Sequence, residues 1–370
     1  MERTNRFEAM KQGHQILLAV ALIIAFVLSL FLLAEAAIRV RSYFKHGDAF
    51  FRVENISYID EATGLRLPKP GYRSGKMTIN EDGFRGPLIP HEKPEGTTRI
   101  AFVGGSTTLC AEVSGDDKTW PFLAMQALGD AYPDRAFDYV NAGVSGFTVA
   151  SSLTRFKAQV AALKPDIVMV YHATNDLSRN SRVAAEAQGF DGLRGDQSLP
   201  WITDYSLLAY LVVKNLRVLD RQQDATDPVH DYRMDPETIA EPFADDLDTL
   251  IAAIREAGAK PVVATFATRI RAEQNEEEKL ASAVTSLYYM PYMTPESLIT
   301  GFDRYNRVIR DLDDVLMADI AEEIPGDAVH FVDSVHFTDE GAQAMADAVL
   351  STLVEAVRRL DRDAPDQKNS

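Results

Sequence analysis

Residues 99–106 read RIAFVGGS, a short apolar strand that ends in two glycines and a serine. The same alternation of strand and helix recurs along the chain. Further strands are predicted at Phe137–Val140, Asp166–Tyr171, Pro261–Phe266 and Val329–Val332. Helices are predicted at Trp120–Leu128, Val149–Leu163, Pro236–Ala257, Phe302–Ile320 and Thr338–Leu360.

This alternation is typical of a parallel sheet whose crossover connections are right-handed. The strand Asp166–Tyr171 is apolar after its first residue, as expected of a strand that is buried on both faces. We therefore predict an α/β fold, an α/β/α sandwich with five parallel strands. In such sheets ligands bind beyond the carboxyl ends of the strands, so the loops that follow the strands should carry the functional side chains.

Four loops after predicted strands carry polar groups suited to acyl chemistry. Ser106 follows two glycines at the start of a helix, where free backbone N–H groups favour negative charge. The loop Asn141–Gly146 contains glycines that let a backbone N–H approach a ligand, and Asn175 offers a side-chain amide. Asp333 precedes His336 by three residues, so its carboxylate can hold the imidazole in one tautomer.

Each loop alone has an ordinary structural explanation as a turn or a helix cap. The combination, in this order and with each loop after its own predicted strand, favours a serine hydrolase. In this interpretation Ser106 is the nucleophile, His336 is the base that removes its proton, and Asp333 orients the ring. The backbone N–H groups of Ser106 and Gly146 and the side-chain amide of Asn175 form the predicted oxyanion hole.

The four loops resemble the sequence blocks of the SGNH hydrolase superfamily, also called GDSL-like lipases and esterases. The blocks are named for Ser, Gly, Asn and His, and they match Ser106 in GGSTT, Gly146 in NAGVSG, Asn175 in ATND, and His336 with Asp333 in DSVH. The resemblance covers about Arg99–Leu360 and implies a flavodoxin-like three-layer sandwich. Asn80–Gly86, which reads NEDGFRG, is similar to a segment that precedes the first block in membrane-anchored bacterial relatives.

The resemblance implies an esterase that cleaves carboxylic esters through an acyl-serine intermediate, on a small-molecule, lipid or glycan substrate with short acyl or O-acetyl groups. Relatives also move acyl groups onto polysaccharides, so an O-acyltransferase with the same triad is the first alternative. An inactive glycan-binding scaffold is the second. The first block reads GGST rather than GDSL, and Ala173 stands where glycine is usual, but neither departure removes a catalytic side chain.

The segment Ile16–Ala34 reads ILLAVALIIAFVLSLFLLA and contains no charged residue. At ~1.5 Å per residue it is ~28 Å long, close to the ~30 Å of a bilayer core. We predict a transmembrane anchor over residues 16–38, after an N-terminal tail over 1–15. A cleaved signal peptide is the alternative, because Ala34-Glu35-Ala36 resembles a cleavage site. Both predictions place the catalytic domain outside the cytoplasm, in the periplasm.

The remaining chain is predicted to hold three further parts. These are a strand-and-loop cap over residues 46–95, a hydrolase domain over 96–360 with an insertion at 180–235, and a disordered tail over 361–370. Within the insertion, Tyr205–Val213 is predicted to form a short helix. Glu273–Pro295 is expected to flank the active site.

Composition limits the partners and cofactors of the chain. The formal net charge of its 370 residues is -17, and a negative surface repels phosphate, so we expect no nucleic-acid partner. The single cysteine, Cys110, excludes an internal disulfide and a zinc site of the CxxC kind. We expect no cofactor and no metal ion, because His336 and Asp333 fit better as base and orienting carboxylate.

Several other residues are predicted to be structural. His172 is expected to be a hydrogen-bonded histidine at a strand end, His330 to be structural, Asp176 to cap or pair, and Cys110 to be a core residue. An aromatic cluster could line an acyl pocket, but such clusters are more often core, so we leave it out of the site. Its members are Tyr288, Tyr289, Met290 and Tyr292.

Overall fold

The computed structural model describes residues 2–46, 56–189, 200–226 and 234–363. The chain divides into two compact units. One comprises residues 1–54 and 197–215, and the other comprises residues 55–196 and 216–370. The first unit contains the long N-terminal helix, and the second contains the sheet.

The strands alternate with helices through most of the second unit. The strands of the described ranges are β1 Ser57–Ile59, β2 Arg66–Pro68, β3 Thr97–Gly104, β4 Ala136–Asn141, β5 Ile167–Tyr171, β6 Lys260–Ala264 and β7 Leu316–Ala318. The α-helices are α1 Glu2–His46, α2 Ser106–Leu109, α3 Trp120–Ala131, α4 Val149–Arg155, α5 Thr174–Ala187, α6 Leu207–Thr226, α7 Pro236–Glu256, α8 Glu276–Tyr289, α9 Pro295–Arg310 and α10 Asp339–Asp363.

Five parallel strands form the main sheet, in the order β4-β3-β5-β6-β7. The central strand, β5, is apolar and is buried along its whole length. Helix α3 packs on α10, whereas α7 packs on α4, α5 and α9. Right-handed crossovers place these two groups on opposite faces, which makes a three-layer sandwich. The predicted α/β fold with five parallel strands is confirmed.

The strand order reverses direction between β3 and β5. From β3 the chain passes outward to β4, and from β4 it crosses back over β3 to reach β5. Loops at the carboxyl ends of β3 and β5 therefore run to opposite sides and leave a crevice between them. Open α/β sheets bind their ligands at such a point.

The fifth strand is not where the sequence pattern placed it. Val329–Val332, predicted as a strand, forms a turn in which Asp327 Oδ1 accepts hydrogen bonds from the N–H groups of Val329 and His330. Both valines are more than half exposed, and Phe331 alone turns inward. The fifth strand is β7, which lies within the predicted helix Phe302–Ile320. Helix α9 ends at Arg310, before a turn at Asp314 with φ +56°.

Other elements differ from the predictions in extent. The helix predicted over Val149–Leu163 is α-helical only to Arg155 and continues as a π-turn and a 3₁₀ turn. The short helix predicted at Tyr205–Val213 is α6, which extends to Thr226. Helix α5 occupies the start of the predicted insertion, and residues 190–199 and 227–233 of the insertion lie outside the described ranges. The domain boundaries stay predictions.

The first unit contains α1, and α1 includes the predicted anchor. The stretch His14–Tyr43 is long and apolar enough to cross a membrane, and its apolar window is not buried inside the structure. A signal sequence would pass the same test. The same unit contains the 3₁₀ turn Trp201–Asp204 and the beginning of α6.

A buried ion pair joins β3 to β4 in the second unit. Arg99 is fully buried, and its guanidinium donates to both carboxylate oxygens of Asp138, at 2.8 and 2.7 Å. It also donates to the carbonyls of Leu163 and Pro90, both at 2.8 Å. These partners offset the loss of hydration of the buried guanidinium, because an unpaired charge in the protein interior lowers the stability of the fold.

We expect Asp138→Ala to lower the free energy of unfolding by about 3 kcal/mol, because the substitution leaves the buried Arg99 without its counter-charge. Asp138 is partly exposed, so the lower end of the usual range applies. The measurement is urea-induced unfolding of the full chain in detergent, followed by circular dichroism. Asp134→Ala, in the turn before β4, is the control and should change stability little. Equal stabilities of the two variants would contradict the role given to the pair.

Candidate active site

Ser106 lies at the carboxyl end of β3, as the first residue of the short helix α2. The turn requires glycine at the two preceding positions. A Cβ on Gly104 would lie 2.0 Å from Thr108 Oγ1, and a Cβ on Gly105 would lie 2.9 Å from the Asn175 amide nitrogen. Glycine thus lets the serine loop pack directly against its neighbours.

His336 lies within hydrogen-bond distance of both Ser106 and Asp333. Its Nε2 is 2.8 Å from Ser106 Oγ, and its Nδ1 is 2.8 and 3.0 Å from the two carboxylate oxygens of Asp333. The carboxylate also accepts hydrogen bonds from the backbone N–H groups of Val335 and His336. The three side chains proposed from the sequence therefore form a continuous hydrogen-bonded series.

The pKa of Asp333 is set by two opposing effects. Burial raises it, but the hydrogen bond and positive charge of His336 and the two backbone donors outweigh burial, so the pKa lies below its ordinary value. Asp333 is therefore ionised at neutral pH. An ionised carboxylate at Nδ1 favours the imidazole tautomer in which Nε2 carries no proton and can accept one from Ser106.

The loop that carries Asp333 and His336 does not follow a strand directly, contrary to the prediction. It is held by hydrogen bonds to other elements. Ser334 accepts hydrogen bonds from the N–H of Arg269 through its carbonyl, at 2.9 Å, and from the N–H of Ser286 through its hydroxyl, at 3.1 Å. A bridge between Phe331 and Phe337 closes the base of the loop. Side-chain and backbone contacts thus replace the missing strand.

Gly146 and Asn175 lie at the same cavity as Ser106 and His336. Gly146 has φ +82°, a conformation that favours glycine, and no atom lies within 4 Å of a Cβ placed there. One amide N–H of Asn175 donates to the Phe147 carbonyl at 2.9 Å, which fixes the orientation of the side chain. The second amide N–H of Asn175 is a further donor.

The cavity has a volume of about 280 Å³. Most of its other lining residues are small or polar, and they come from α5, α8 and the loop after α2. They include Glu112, Thr174, Ser178, Thr285, Tyr289 and Met290. The prediction that Glu273–Pro295 flanks the site agrees with this lining. Two members of the aromatic cluster left out of the predicted site, Tyr289 and Met290, contribute to the wall.

Arg85 supports the loop that carries Ser106, and the sequence analysis assigned it no role. Its guanidinium is buried and donates to the carbonyls of Leu109, at 2.8 Å, and of Cys110. It also donates to the Lys76 carbonyl and to Asp116 Oδ1, both at 2.8 Å. Leu109 and Cys110 end the helix that begins at Ser106. A signal was available, because Arg85 is the arginine of the segment NEDGFRG.

Behind the site, His172, Asp176 and Ser152 form a buried network. His172 Nε2 is 2.8 Å from Ser152 Oγ, and Asp176 Oδ1 accepts the N–H of Val149 at 2.9 Å. Burial lowers the pKa of His172 to about 3 and raises the pKa of Asp176 to about 7. The predicted hydrogen-bonded histidine and capping aspartate are present. Through Val149, Asp176 joins the loop after β4 to the loop after β5.

Cys110 is a core residue, as predicted. It is buried, and burial raises the pKa of its thiol to about 12, so the thiol is protonated at neutral pH. The helix that begins at Ser106 stops at Cys110. Cys110 has φ +58°, a left-handed backbone conformation that ends the four-residue helix α2.

A second cavity, of about 240 Å³, has a mixed charged lining that includes Arg271, Glu273, Asp303 and Glu322. It does not include the residues of the predicted triad. Within the described ranges, no three His, Cys, Asp or Glu side chains are grouped so that they could hold a metal ion.

The sequence matches the profile of the GDSL-like lipase/acylhydrolase family over residues 102–344. The chain belongs to this family. The matched span covers more than half of the chain and includes all five predicted site residues. As a GDSL-like acylhydrolase, the protein is a hydrolase that acts on ester bonds. A comparison with curated proteins gave no match.

Solved structures with a similar fold share little sequence with this GDSL-like protein. Axe2, an acetylxylan esterase from Geobacillus stearothermophilus, is 18% identical, with 69% of this chain and 94% of that chain covered and a TM-score of 0.42. A putative GDSL-like lipase from Parabacteroides merdae is 15% identical, with 71% and 98% covered and a TM-score of 0.42. LAE5, an alpha/beta hydrolase from the metagenome of Lake Arreo, is 18% identical, with 69% and 94% covered and a TM-score of 0.41.

We expect Arg85→Lys to lower kcat for aryl ester hydrolysis by roughly 10²-fold, because a ~1 Å displacement of a reacting group has an effect of that size. A lysine cannot donate to the same set of carbonyls, since it lacks the planar fork of arginine. Arg66→Lys, at an exposed position of β2, is the control. The measurement is kcat and KM for both variants. A changed KM with an unchanged kcat would show that Arg85 does not position the nucleophile.

Proposed function

We propose that this chain is a serine esterase with Ser106 as nucleophile, His336 as general base and Asp333 as the residue that orients His336. One observation carries the proposal. His336 Nε2 lies 2.8 Å from Ser106 Oγ, while Nδ1 of the same ring contacts both oxygens of Asp333. A serine hydroxyl is a weak nucleophile until such a base removes its proton.

In the acylation step, Ser106 Oγ attacks the carbonyl carbon of the ester while its proton moves to His336 Nε2. The negative charge of Asp333 stabilises the imidazolium that results. The carbonyl oxygen becomes an oxyanion, for which the N–H groups of Ser106 and Gly146 and the second amide N–H of Asn175 are the proposed donors. Collapse of the tetrahedral intermediate breaks the ester C–O bond, and His336 returns its proton to the departing alcohol.

In the deacylation step, water takes the place of the alcohol. His336 removes a proton from the water molecule, and the resulting hydroxide attacks the acyl carbon on Ser106. The same donors receive the second oxyanion. The bond between the acyl group and Ser106 Oγ then breaks, and His336 restores the hydroxyl proton. The products are a carboxylic acid and the free enzyme.

The cavity favours short acyl groups as the substrate class. Its volume of about 280 Å³ is just under the ~300–1,000 Å³ usual for pockets that hold drug-sized ligands. Ser178 and Thr285 place hydroxyl groups on its wall. A long alkyl chain would find too little room there. We therefore propose acetyl or similarly short esters of small molecules or glycans as substrates.

We further propose that α1 is retained as a single membrane-spanning anchor and that the hydrolase domain lies outside the cytoplasm. The support is the length and apolar character of His14–Tyr43, whose apolar window the rest of the structure leaves uncovered. An uncovered apolar helix of this length is unstable in water. Hydrocarbon accommodates its apolar side chains, while the helix pairs its own backbone N–H and C=O groups internally.

We expect Ser106→Ala to abolish labelling by a fluorophosphonate probe and to lower aryl acetate hydrolysis by at least ~10³-fold, as removal of a triad nucleophile does. The probe phosphonylates only a serine that a neighbouring base has activated. Labelling is measured by intact mass and hydrolysis by release of the aryl alcohol. Ser351→Ala, at an exposed position of α10, is the control and should label like the wild type.

Two outcomes of this labelling experiment would contradict the proposal. One is equal labelling of the Ser106→Ala variant and the wild type, which would place the reactive serine elsewhere. The other is a wild-type protein that neither labels nor hydrolyses short esters, which would favour the glycan-binding scaffold.

We expect kcat/KM for a short ester to rise with pH between about pH 5 and 8, the window in which an ordinary histidine titrates. Only neutral His336 can accept the proton of Ser106. Asp333 adds no limb in this window, because its pKa lies below its ordinary value and it remains ionised throughout. The measurement is the pH dependence of kcat/KM with a substrate that does not itself titrate. A flat profile would exclude His336 as the base.

A further inference from the structure

In the unit formed by residues 1–54 and 197–215, the side chain of Glu35 binds the start of α6. Its carboxylate accepts hydrogen bonds from the N–H groups of Leu207 and Leu208, at 3.0 and 2.9 Å, and from the Ser206 hydroxyl, at 2.8 Å. The first N–H groups of a helix have no partner within the helix, and a carboxylate there is stabilised by the helix dipole. Glu35 therefore caps α6 from α1.

Arg39 completes this connection one turn further along α1. Its Nε lies 2.6 Å from a Glu35 carboxylate oxygen, and its terminal nitrogen donates to the Tyr205 carbonyl at 2.8 Å. The side chains of Glu35 and Arg39 are only 13% and 18% exposed, so the contacts between α1 and α6 shield them from solvent. We call this pair the α1–α6 clamp.

The clamp lies immediately after the apolar part of α1, which fixes its expected depth in a membrane. The uncharged run ends at Ala34, and Glu35 is the next residue. At ~1.5 Å per residue, Arg39 lies only ~6 Å further along the helix axis than Glu35. If the apolar run fills the ~30 Å hydrocarbon layer, the clamp lies at the level of the lipid headgroups. The start of α6 is held at the same level.

The segment held by the clamp exposes aromatic and aliphatic side chains. Trp201 and Tyr205 are both 74% exposed, and their ring centroids are 6.3 Å apart. Ile202 and Val212 are also exposed, and the first turns of α6 read LLAYLVV with no charge. Tryptophan and tyrosine are enriched where membrane meets water, because their rings join an apolar body to a polar group.

We propose that Trp201–Val213 is an interfacial segment that lies on the lipid bilayer at headgroup depth, where the α1–α6 clamp holds it. The proposal rests on the retained anchor proposed above, and it adds a second membrane contact to the single span. The occupant of the exposed surface is lipid rather than protein, because the surface continues directly from a helix of bilayer length. Glu35 and Arg39 then serve to position this segment.

The two tryptophans of the chain allow a direct test, because Trp120 is fully buried and Trp201 is exposed. The full chain is reconstituted in phosphatidylcholine vesicles that contain brominated lipids, with bromine at different depths. We expect lipid-dependent quenching of tryptophan emission that is strongest for bromine near the headgroup. Trp201→Phe should lose this quenching and keep the emission of Trp120.

The clamp itself is tested by Glu35→Ala, with Glu61→Ala at an exposed site of the second unit as the control. Loss of the clamp should weaken quenching of Trp201 by brominated lipid and raise its quenching by aqueous iodide. The control should behave like the wild type. Equal lipid quenching in the two variants would overturn the positioning role of Glu35.

Flotation of the vesicles separates this proposal from the anchor and from the esterase. Protein that floats with vesicles while Trp201 responds to iodide and not to brominated lipid would overturn the interfacial segment and leave the anchor in place. Protein that does not float would overturn both. Neither result affects labelling of Ser106, which is measured independently.

Discussion

The hydrogen bond between Ser106 and His336 joins residues that lie far apart in the sequence, and the arrangement of the site depends on it. Ser106 is placed by β3, one of the two strands between which the sheet reverses its order. His336 reaches it from a loop before α10 that is not part of any strand. The loop is therefore fixed by specific hydrogen bonds, through Ser334 to Arg269 and Ser286, rather than by the sheet.

Most of the fold could be predicted because its strands are short, apolar and separated by helices of clear periodicity. The fifth strand could not, since β7 has only three residues, whereas Val329–Val332 is longer and is rich in the β-branched and aromatic residues typical of strands. The two stretches differ in the groups that surround them in the fold, and the composition of a short segment does not encode those groups. The Asp327 side chain occupies the N–H groups of Val329 and His330 and so turns the chain away from an extended conformation.

The five candidate site residues could be selected from the sequence because each has a distinctive chemical or conformational role and lies just after β3, β4 or β5 or just before α10. The roles of the supporting residues could not. Arg85 belongs to the distinctive segment NEDGFRG, but it acts through carbonyl groups of Leu109 and Cys110, and a contact with a backbone carbonyl leaves no trace in the sequence. Tyr289 lines the cavity, whereas Tyr292, three residues later, is buried. Composition alone could not show which of the two tyrosines contributes to the cavity wall and which to the core.

The departure of the first block from GDSL to GGST has a local explanation. Gly105 stands where the family name has aspartate, and the space beside it is occupied by the amide of Asn175, 2.9 Å from where a Cβ would be. Any side chain at position 105 would push this amide away from the loop that carries Ser106. The amide is itself held by the Phe147 carbonyl, so it has little freedom to yield. The position of the Asn175 amide therefore depends on glycine at position 105. Through this contact the first sequence block and the third constrain each other sterically, in addition to the chemical roles of their side chains.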